Sequence, residues 1–120
     1  MMIRIATIGI GEDDAGRILA ALRDRWPSLE ASTLSRAAAG EIDLVLVGGS
    51  PPGLRRRVDD VRSKVDVALV VLAERPSDRE LVRLLDAGAD DYLALGASPR
   101  LLGDRIAAVL RRAPVRRMVR

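Results

Sequence analysis

The chain contains no cysteine and no histidine among its 120 residues. The absence of cysteine excludes disulfides, thiolate metal sites and cysteine nucleophiles. The absence of histidine removes the commonest general base and metal ligand, and with them any phosphohistidine relay within the chain. Lysine is nearly absent too, because Lys64 is the single lysine among 20 basic residues. Any chemistry that requires a lysine therefore depends on this one position.

Long apolar runs are also missing. No run approaches the ~18 apolar residues of a membrane span, and the N-terminus lacks the basic start and small-residue cleavage site of a signal peptide. The apolar content of 48% is enough for one domain with its own core. We therefore expect a cytoplasmic, single-domain protein with no membrane partner.

The positive charge is concentrated at one end of the chain. The net charge is +3, but the last ten residues, RRAPVRRMVR, contain five arginines and no acid, so the remainder has 15 basic and 17 acidic residues. We expect residues 1–112 to form the domain and residues 113–120 to form a basic tail or linker. Such a tail could contact nucleic acid or anionic lipid, and a solvated linker is the alternative.

Short β-branched runs alternate with helical patterns along the chain. The predicted strands are MIRIATIGI, LEASTLS, IDLVLVG, VDVALVVLA and DDYLAL. The predicted helices are EDDAGRILAALRDRW, RAAAGE (36–41), LRRRVDDVRSK, SDRELVRLLDAGA and SPRLLGDRIAAVLRR. Five strands alternating with five helices predict a three-layer α/β fold with a doubly wound parallel sheet. Ligands of such sheets bind beyond the carboxyl ends of the strands, so the loops after Ile10, Val47 and Ala73 are candidate sites.

The segment LDAGADDYLALGASPRLLGDRIAAVLRR resembles the response-regulator receiver family of bacterial two-component signalling. The segments DLVLV, PPG and ALVVLAER extend the similarity over residues 2–112. The resemblance implies a flavodoxin-like (β/α)5 fold with strand order 2-1-3-4-5. It also implies a phosphorylation site with an aspartate after the third strand, a threonine or serine after the fourth and a lysine in the fifth.

None of these three residues is present at the matching positions. The phosphoacceptor position is Gly48, the hydroxyl position is Ala73 and the lysine position is Leu95. Acyl-phosphate chemistry needs an anionic nucleophile with a metal ion and a cation around the phosphoryl group. Because the aspartate, the hydroxyl residue and the lysine are missing together, the resemblance implies a degenerate member that does not accept phosphate. We expect no enzymatic activity, no bound metal and no cofactor.

The acid pair that holds Mg²⁺ in the family has two possible matches. One alignment places it at Gly9 and Ile10, and the other places it at Ile10 and Gly11. The acids 12–14 follow a few residues later and could bind a divalent ion, although acids at a helix start also stabilise the helix dipole. An unorthodox phosphoacceptor at Asp13 or Ser50 is a further alternative.

Two other features could take part in a site. Arg55, Arg56 and Arg57 are expected in the first turn of the third predicted helix, where they form a possible anion-binding group. A solvated helix face is the alternative for them. Tyr92 matches the position of the family's switch aromatic, and without a hydroxyl residue at position 73 we expect a fixed packing or contact role.

The resemblance also indicates a contact surface on the fourth helix, fifth strand and fifth helix of the family. We expect Val82 and Leu85 to point inward, and the same for three residues of the last helix: Leu102, Ile106 and Val109. This leaves three leucines surplus on the outward faces: Leu81, Leu84 and Leu101. Asp91 and Arg105 match a charged pair of the subfamily attached to winged-helix DNA-binding domains. An apolar patch rimmed by charge is typical of an interface, here a homodimer, although single exposed leucines are also common.

The predicted function is a pseudo-receiver that acts through protein contacts on a partner or an output domain, with control of transcription as one outcome. Nucleic acid would be contacted only through a separate output domain. The alternative is a sensor of a small ligand or anion that uses the vacated phosphorylation pocket.

Overall fold

The computed structural model describes residues 2–34, 42–74 and 77–119, with the side chains of all but 51, 52 and 113–119. The strands are β1 (Arg4–Ile8), β2 (Glu30–Thr33), β3 (Leu44–Gly48), β4 (Ala68–Ala73) and β5 (Asp91–Ala94). The helices are α1 (Glu12–Arg23), α2 (Pro51–Lys64), α3 (Asp78–Ala87) and α4 (Pro99–Val119). The helix predicted at 36–41 lies outside the described residues.

All five strands form one parallel sheet in the order β2-β1-β3-β4-β5. Strands β3 and β4 are buried along their whole length, which explains their continuous apolar sequences. The predicted doubly wound α/β fold and its strand order are therefore confirmed.

A separate core covers each face of the sheet. On one side, α1 and α4 contribute residues such as Ile18, Leu22 and Ile106 to the first core. On the other side, α2 and α3 contribute residues such as Val58 and Leu84 to the second. The three layers place the carboxyl ends of the central strands between the starts of α1 and α2.

Arg62 connects α2 to the residues before β4 and to the turn between α3 and β5. Its guanidinium donates to the carbonyl oxygens of Gly88 at 3.0 Å and Val67 at 2.5 Å, and to Asp90 Oδ2 at 2.9 Å. The same carboxylate oxygen accepts from the backbone N–H of Leu69 at 2.8 Å. One nearly buried ion pair thus connects α2, the start of β4 and the turn between α3 and β5.

The orientation of α3 differs from the sequence prediction. Val82 is 56% exposed and Leu85 44% exposed, so neither points inward as expected. Leu84, expected on the outside, is only 3% exposed, and Leu81 is half-buried. Five of the ten residues of α3 are apolar and form two adjacent stripes, so periodicity alone could not select the buried one. Tertiary packing selects it: Leu84 lies in the second core, while Val82 and Leu85 stay exposed.

The last helix agrees with the prediction on its buried face and differs in length. Leu102, Ile106 and Val109 are buried and Leu101 is 44% exposed, as expected. The helix continues to Val119, so the segment predicted as a separate tail extends α4. Across the described ranges, no helix combines the length and apolar character that a membrane crossing requires.

Candidate functional site

A pocket of about 360 Å³ opens at the carboxyl ends of the central strands. The structure brings all five predicted phosphorylation-site positions together around it, because parallel strands end at the same edge of the sheet. These positions are Gly9, Ile10, Gly48, Ala73 and Leu95. The remaining lining residues are Gly11, Asp14, Gly49, Ser50, Leu72 and Glu74.

The described lining residues carry little of the chemistry of phosphoryl transfer. Gly48, Ala73 and Leu95 offer a hydrogen, a methyl group and a branched alkyl group where the family has a carboxylate, a hydroxyl and an ammonium group. Among the described parts of the chain, no three carboxylate, histidine or cysteine side chains come together in a way that could hold a metal ion. The pocket has two carboxylates, on Asp14 and Glu74.

The ends of β1 and β3 approach each other more closely than side chains would allow. A Cβ atom on Gly48 would lie 2.8 Å from Ile10 Cγ1 and 2.9 Å from the Gly9 carbonyl oxygen. A Cβ atom on Gly9 would collide with the Gly48 carbonyl oxygen, and Gly9 also has a φ of +74°, which favours glycine. The backbone of each strand end therefore occupies the space that a side chain on the other would need.

Arg57 of α2 closes the same strand end from the second core. Its Nη1 donates to the Gly48 carbonyl oxygen at 2.6 Å. The guanidinium lies against two glycine α-carbons, since a Cβ on Gly49 would be 2.6 Å from Nη1 and a Cβ on Gly9 would collide with it. Arg57 therefore depends on the absence of side chains at both glycines.

The three arginines lie further along their helix than the sequence suggested. Because α2 begins at Pro51, they lie in its second turn and not in its first. Arg55 and Arg56 are exposed, and none of the three lines the pocket at the strand ends. Arg56 and Arg57 line a second pocket together with Lys64, so their anion-binding role stays a prediction. Only Arg57 reaches the strand end, where it binds a backbone carbonyl.

Two further side chains bind carbonyl oxygens at the pocket. The Tyr92 hydroxyl donates to the Ala73 carbonyl oxygen at 2.9 Å, and burial raises the pKa of Tyr92 above 10.0. Arg17 Nη2 donates to the Leu95 carbonyl oxygen at 2.8 Å and lies 3.4 Å from Asp14 Oδ1. Tyr92 packs against the second core.

Sequence reasoning did not assign Arg17, Asp14 or Glu74 to the pocket rim. Glu74 directly follows β4, so the edge rule for parallel sheets could have placed it there. Asp14 lies in the first turn of α1, where an acid favours the helix dipole, and it lines the pocket as well. The bond of Arg17 to a backbone carbonyl 78 residues away leaves no sequence pattern.

A second candidate site lies on the two helices that flank the edge strand β5. We call this surface the α3–β5–α4 face and define it by the exposed side chains of Val82, Leu85 and Leu101 with the pair Asp91 and Arg105. Arg105 Nη1 lies 3.4 Å from Asp91 Oδ2, so the predicted pair forms. The elements of this face thus carry both exposed apolar groups and a surface ion pair.

Comparisons with known proteins agree with this architecture. No family model matches the chain. The transcriptional regulatory protein CseB of Streptomyces avermitilis is 34% identical over 111 residues, which cover 92% of this chain and 46% of CseB. The phosphate regulon transcriptional regulatory protein PhoB of Escherichia coli is 33% identical over 91 residues, covering 76% of this chain and 35% of PhoB. The chain thus spans less than half the length of these curated relatives.

Solved structures show the same fold. HP1043, an orphan response regulator of H. pylori, matches with a TM-score of 0.69 and 26% identity, over 90% of this chain and 96% of that one. A two-component response regulator from Clostridium difficile matches with a TM-score of 0.72 and 20% identity, over 92% and 97% of the two chains. Sequence relatives and structural neighbours therefore agree: the chain belongs to the response-regulator receiver family of two-component signalling.

Proposed function

We propose that this chain is a pseudo-receiver, which does not accept phosphate and regulates through protein contacts. The observation that carries the proposal is Gly48 at the end of β3. A side chain at this position would meet Ile10 and the Gly9 backbone, and the Gly48 carbonyl is bound by Arg57. Neither the carboxylate nor space for it is available without movement of the backbone. We propose no enzymatic activity and no cofactor.

The proposed role is control of a partner protein or an output domain. CseB and PhoB are named as transcriptional regulatory proteins, and this chain spans less than half the length of each. Control of transcription is therefore the favoured outcome, with nucleic acid contacted only through an output domain. A receiver without the phosphoacceptor would transmit its state through association.

The α3–β5–α4 face is the proposed contact surface, and a two-fold homodimer is the proposed assembly. Apolar patches rimmed by charge are typical of protein interfaces. The exposure of Val82 and Leu85 on α3 and of Leu101 on α4 supports this proposal, whereas Leu84 is buried and takes no part in it. A two-fold axis would pair each apolar group with the same surface of a second copy.

Phosphorylation is tested directly with acetyl phosphate, or with beryllofluoride and Mg²⁺. The expected result is an unchanged intact mass and unchanged amide resonances around Gly48. Addition of one phosphoryl group per chain, or a saturable Mg²⁺-dependent shift at Gly48, would overturn the proposal.

The contact surface is tested with Val82→Glu and Leu101→Glu in one chain. The variant should sediment as a monomer, or lose partner binding, while its circular dichroism stays that of the folded protein. The matched control is Met2→Glu, because Met2 is also an exposed large apolar residue but precedes β1. A wild type that is monomeric at high concentration, together with a double variant that keeps every measured partner, would contradict this surface.

A second candidate function is a small-ligand sensor, favoured by the pocket itself. Ligand sites usually have volumes of roughly 300–1,000 Å³, and this pocket has about 360 Å³. Its lining combines apolar side chains with a few polar groups at the end of an α/β sheet, where ligands of this architecture bind.

A further inference from the structure

We propose that the pocket binds a small organic cation, an amine or a guanidinium compound, and not an anion. This proposal rests on the second candidate function, ligand sensing, and assigns its ligand class. The ionisable side chains among the described lining residues are both acidic, Asp14 and Glu74, and no arginine or lysine is among them. An anion in the pocket would face two carboxylates, whereas a cation would be attracted by both.

The two carboxylates come from different elements of the fold. Asp14 lies in the first turn of α1, which follows β1, and Glu74 directly follows β4. A Mg²⁺ ion needs several oxygen ligands that converge at about 2 Å. Among the described residues, no three carboxylate, histidine or cysteine side chains come together in this way. The two carboxylates therefore suit an organic cation better than a metal ion.

The floor between the carboxylates suits a short alkyl chain. Ile10, Leu72 and Leu95 supply apolar surface. Ser50 adds one hydroxyl at the rim. A ligand with an ammonium group on a few methylene groups would pair its charge with a carboxylate and cover the apolar floor.

The basic groups nearest the pocket are already bound to backbone carbonyls. Arg57 donates to Gly48 from the second core, and Arg17 donates to the carbonyl of Leu95. Arg17 also lies 3.4 Å from Asp14, but both side chains of this pair are about half exposed, so their interaction is weak. A ligand ammonium can therefore compete for Asp14. The acids 12–14 also offset the positive end of the α1 dipole, which would otherwise favour an anion.

The test uses putrescine and butylamine as probes, with succinate and butyrate as carboxylates of the same chain length. Thermal unfolding and calorimetric titration of the full chain should show saturable binding of the amines and none of the carboxylates. The amide resonances of Gly9, Gly48 and Gly49 should shift during the amine titration. Asp14→Asn and Glu74→Gln should each weaken amine binding about three- to fivefold, the upper part of the range for a partly exposed ion pair.

The matched control is Asp13→Asn, which removes the same charge from the same turn of α1. Asp13 is exposed and does not line the pocket, so amine affinity should stay within about twofold. An equal loss in this variant would mean a general charge effect and would overturn the proposal, as would the absence of saturable amine binding. Tighter binding of Mg²⁺ or of a carboxylate would also overturn the ligand class while leaving a sensor function in place. None of these results depends on the phosphorylation or association experiments, so the two proposed functions fail separately.

Discussion

Gly48→Asp introduces an aspartate at the phosphoacceptor position, and we expect it to destabilise the domain. The new Cβ would lie 2.8 Å from Ile10 Cγ1 and 2.9 Å from the carbonyl oxygen of Gly9. Both distances are shorter than Cβ atoms adopt, and the Gly9 contact is to a backbone atom, which cannot move aside as a flexible side chain can. Overpacking of this kind costs roughly 1–3 kcal/mol, so Gly48→Ala alone should lower the free energy of unfolding by that amount.

The carboxylate adds a second cost. Gly48 is buried, and the atoms nearest the new side chain, Ile10 Cγ1 and the Gly9 carbonyl oxygen, cannot donate a hydrogen bond to a carboxylate. A poorly satisfied polar group costs about 1–3 kcal/mol in addition. We therefore expect Gly48→Asp to lower the free energy of unfolding by roughly 2–6 kcal/mol, the sum of both ranges, and to give no acyl phosphate with acetyl phosphate.

Urea unfolding followed by the fluorescence of Trp26 measures these changes, because Trp26 is the single tryptophan and packs against the first core. Gly53→Ala is the matched control, since a Cβ there has no atom within 4 Å and the position lies in α2. It should stabilise the chain by up to about 1 kcal/mol through helix propensity.

A double-mutant cycle identifies the clash. Ile10→Ala removes the Cγ1 atom that a new Cβ would meet, so the cost of Gly48→Ala should fall in that background. A cost for Gly48→Ala below about 0.5 kcal/mol in the wild-type background would place it with ordinary surface changes and refute the reasoning. Acyl phosphate on Gly48→Asp would refute it equally.

Three further predictions concern side chains that bind backbone carbonyls. Arg57→Met should lower the free energy of unfolding by about 1.5–3 kcal/mol in urea unfolding, with partial recovery in millimolar guanidinium chloride; exposed Arg55→Met is the control, and an equal loss there would contradict the role. Arg62→Met should lower the free energy of unfolding by about 3–5 kcal/mol, because the carboxylate of Asp90 loses its ion pair in a nearly buried position. Adding Asp90→Asn should recover part of this loss, and strictly additive effects of the two substitutions would contradict the pairing. Tyr92→Phe should cost about 1 kcal/mol. Because the folded pKa of this single tyrosine is raised above 10.0, its contribution is complete below pH 10.0 and is lost as the pH rises further, which parallel pH series of both chains and ultraviolet titration would measure.

The fold could be predicted because its central strands carry an unambiguous signal. Strands β3 and β4 are continuous apolar runs, and helix-start and helix-end residues separate them from α2 and α3. Ser77 does form a capping box with Glu80, and Gly88 ends the helix in a left-handed conformation with φ of 119°. The strand ends then had to meet at one edge, which was sufficient to gather the five pocket positions.

The rotation of α3 and the role of the arginines could not be predicted for different physical reasons. In α3 two apolar stripes of similar strength compete, and the one that is buried, with Leu84 in the second core, is distinguished only by tertiary packing. An arginine that donates to a distant backbone carbonyl, as Arg57 and Arg17 do, leaves no spacing in the sequence, because any residue supplies that acceptor. Gly9 and Gly49 lie against the Arg57 side chain. In the sequence, the glycines of this region indicated only that the family's carboxylate is absent, and not that an arginine packs against them.

The two proposals about the pocket share one physical cause. In a site that binds a phosphoryl anion, hydrogen-bond donors must point at the ligand. Here the donors nearest the strand ends are occupied by the protein itself, because Arg57, Tyr92 and Arg17 bind the carbonyls of Gly48, Ala73 and Leu95. None of these three side chains lines the pocket, whose described ionisable groups are the carboxylates of Asp14 and Glu74. The same lining, with no nucleophile, hydroxyl or cation at Gly48, Ala73 and Leu95, therefore disfavours a phosphoryl anion and makes a cation the better-matched ligand.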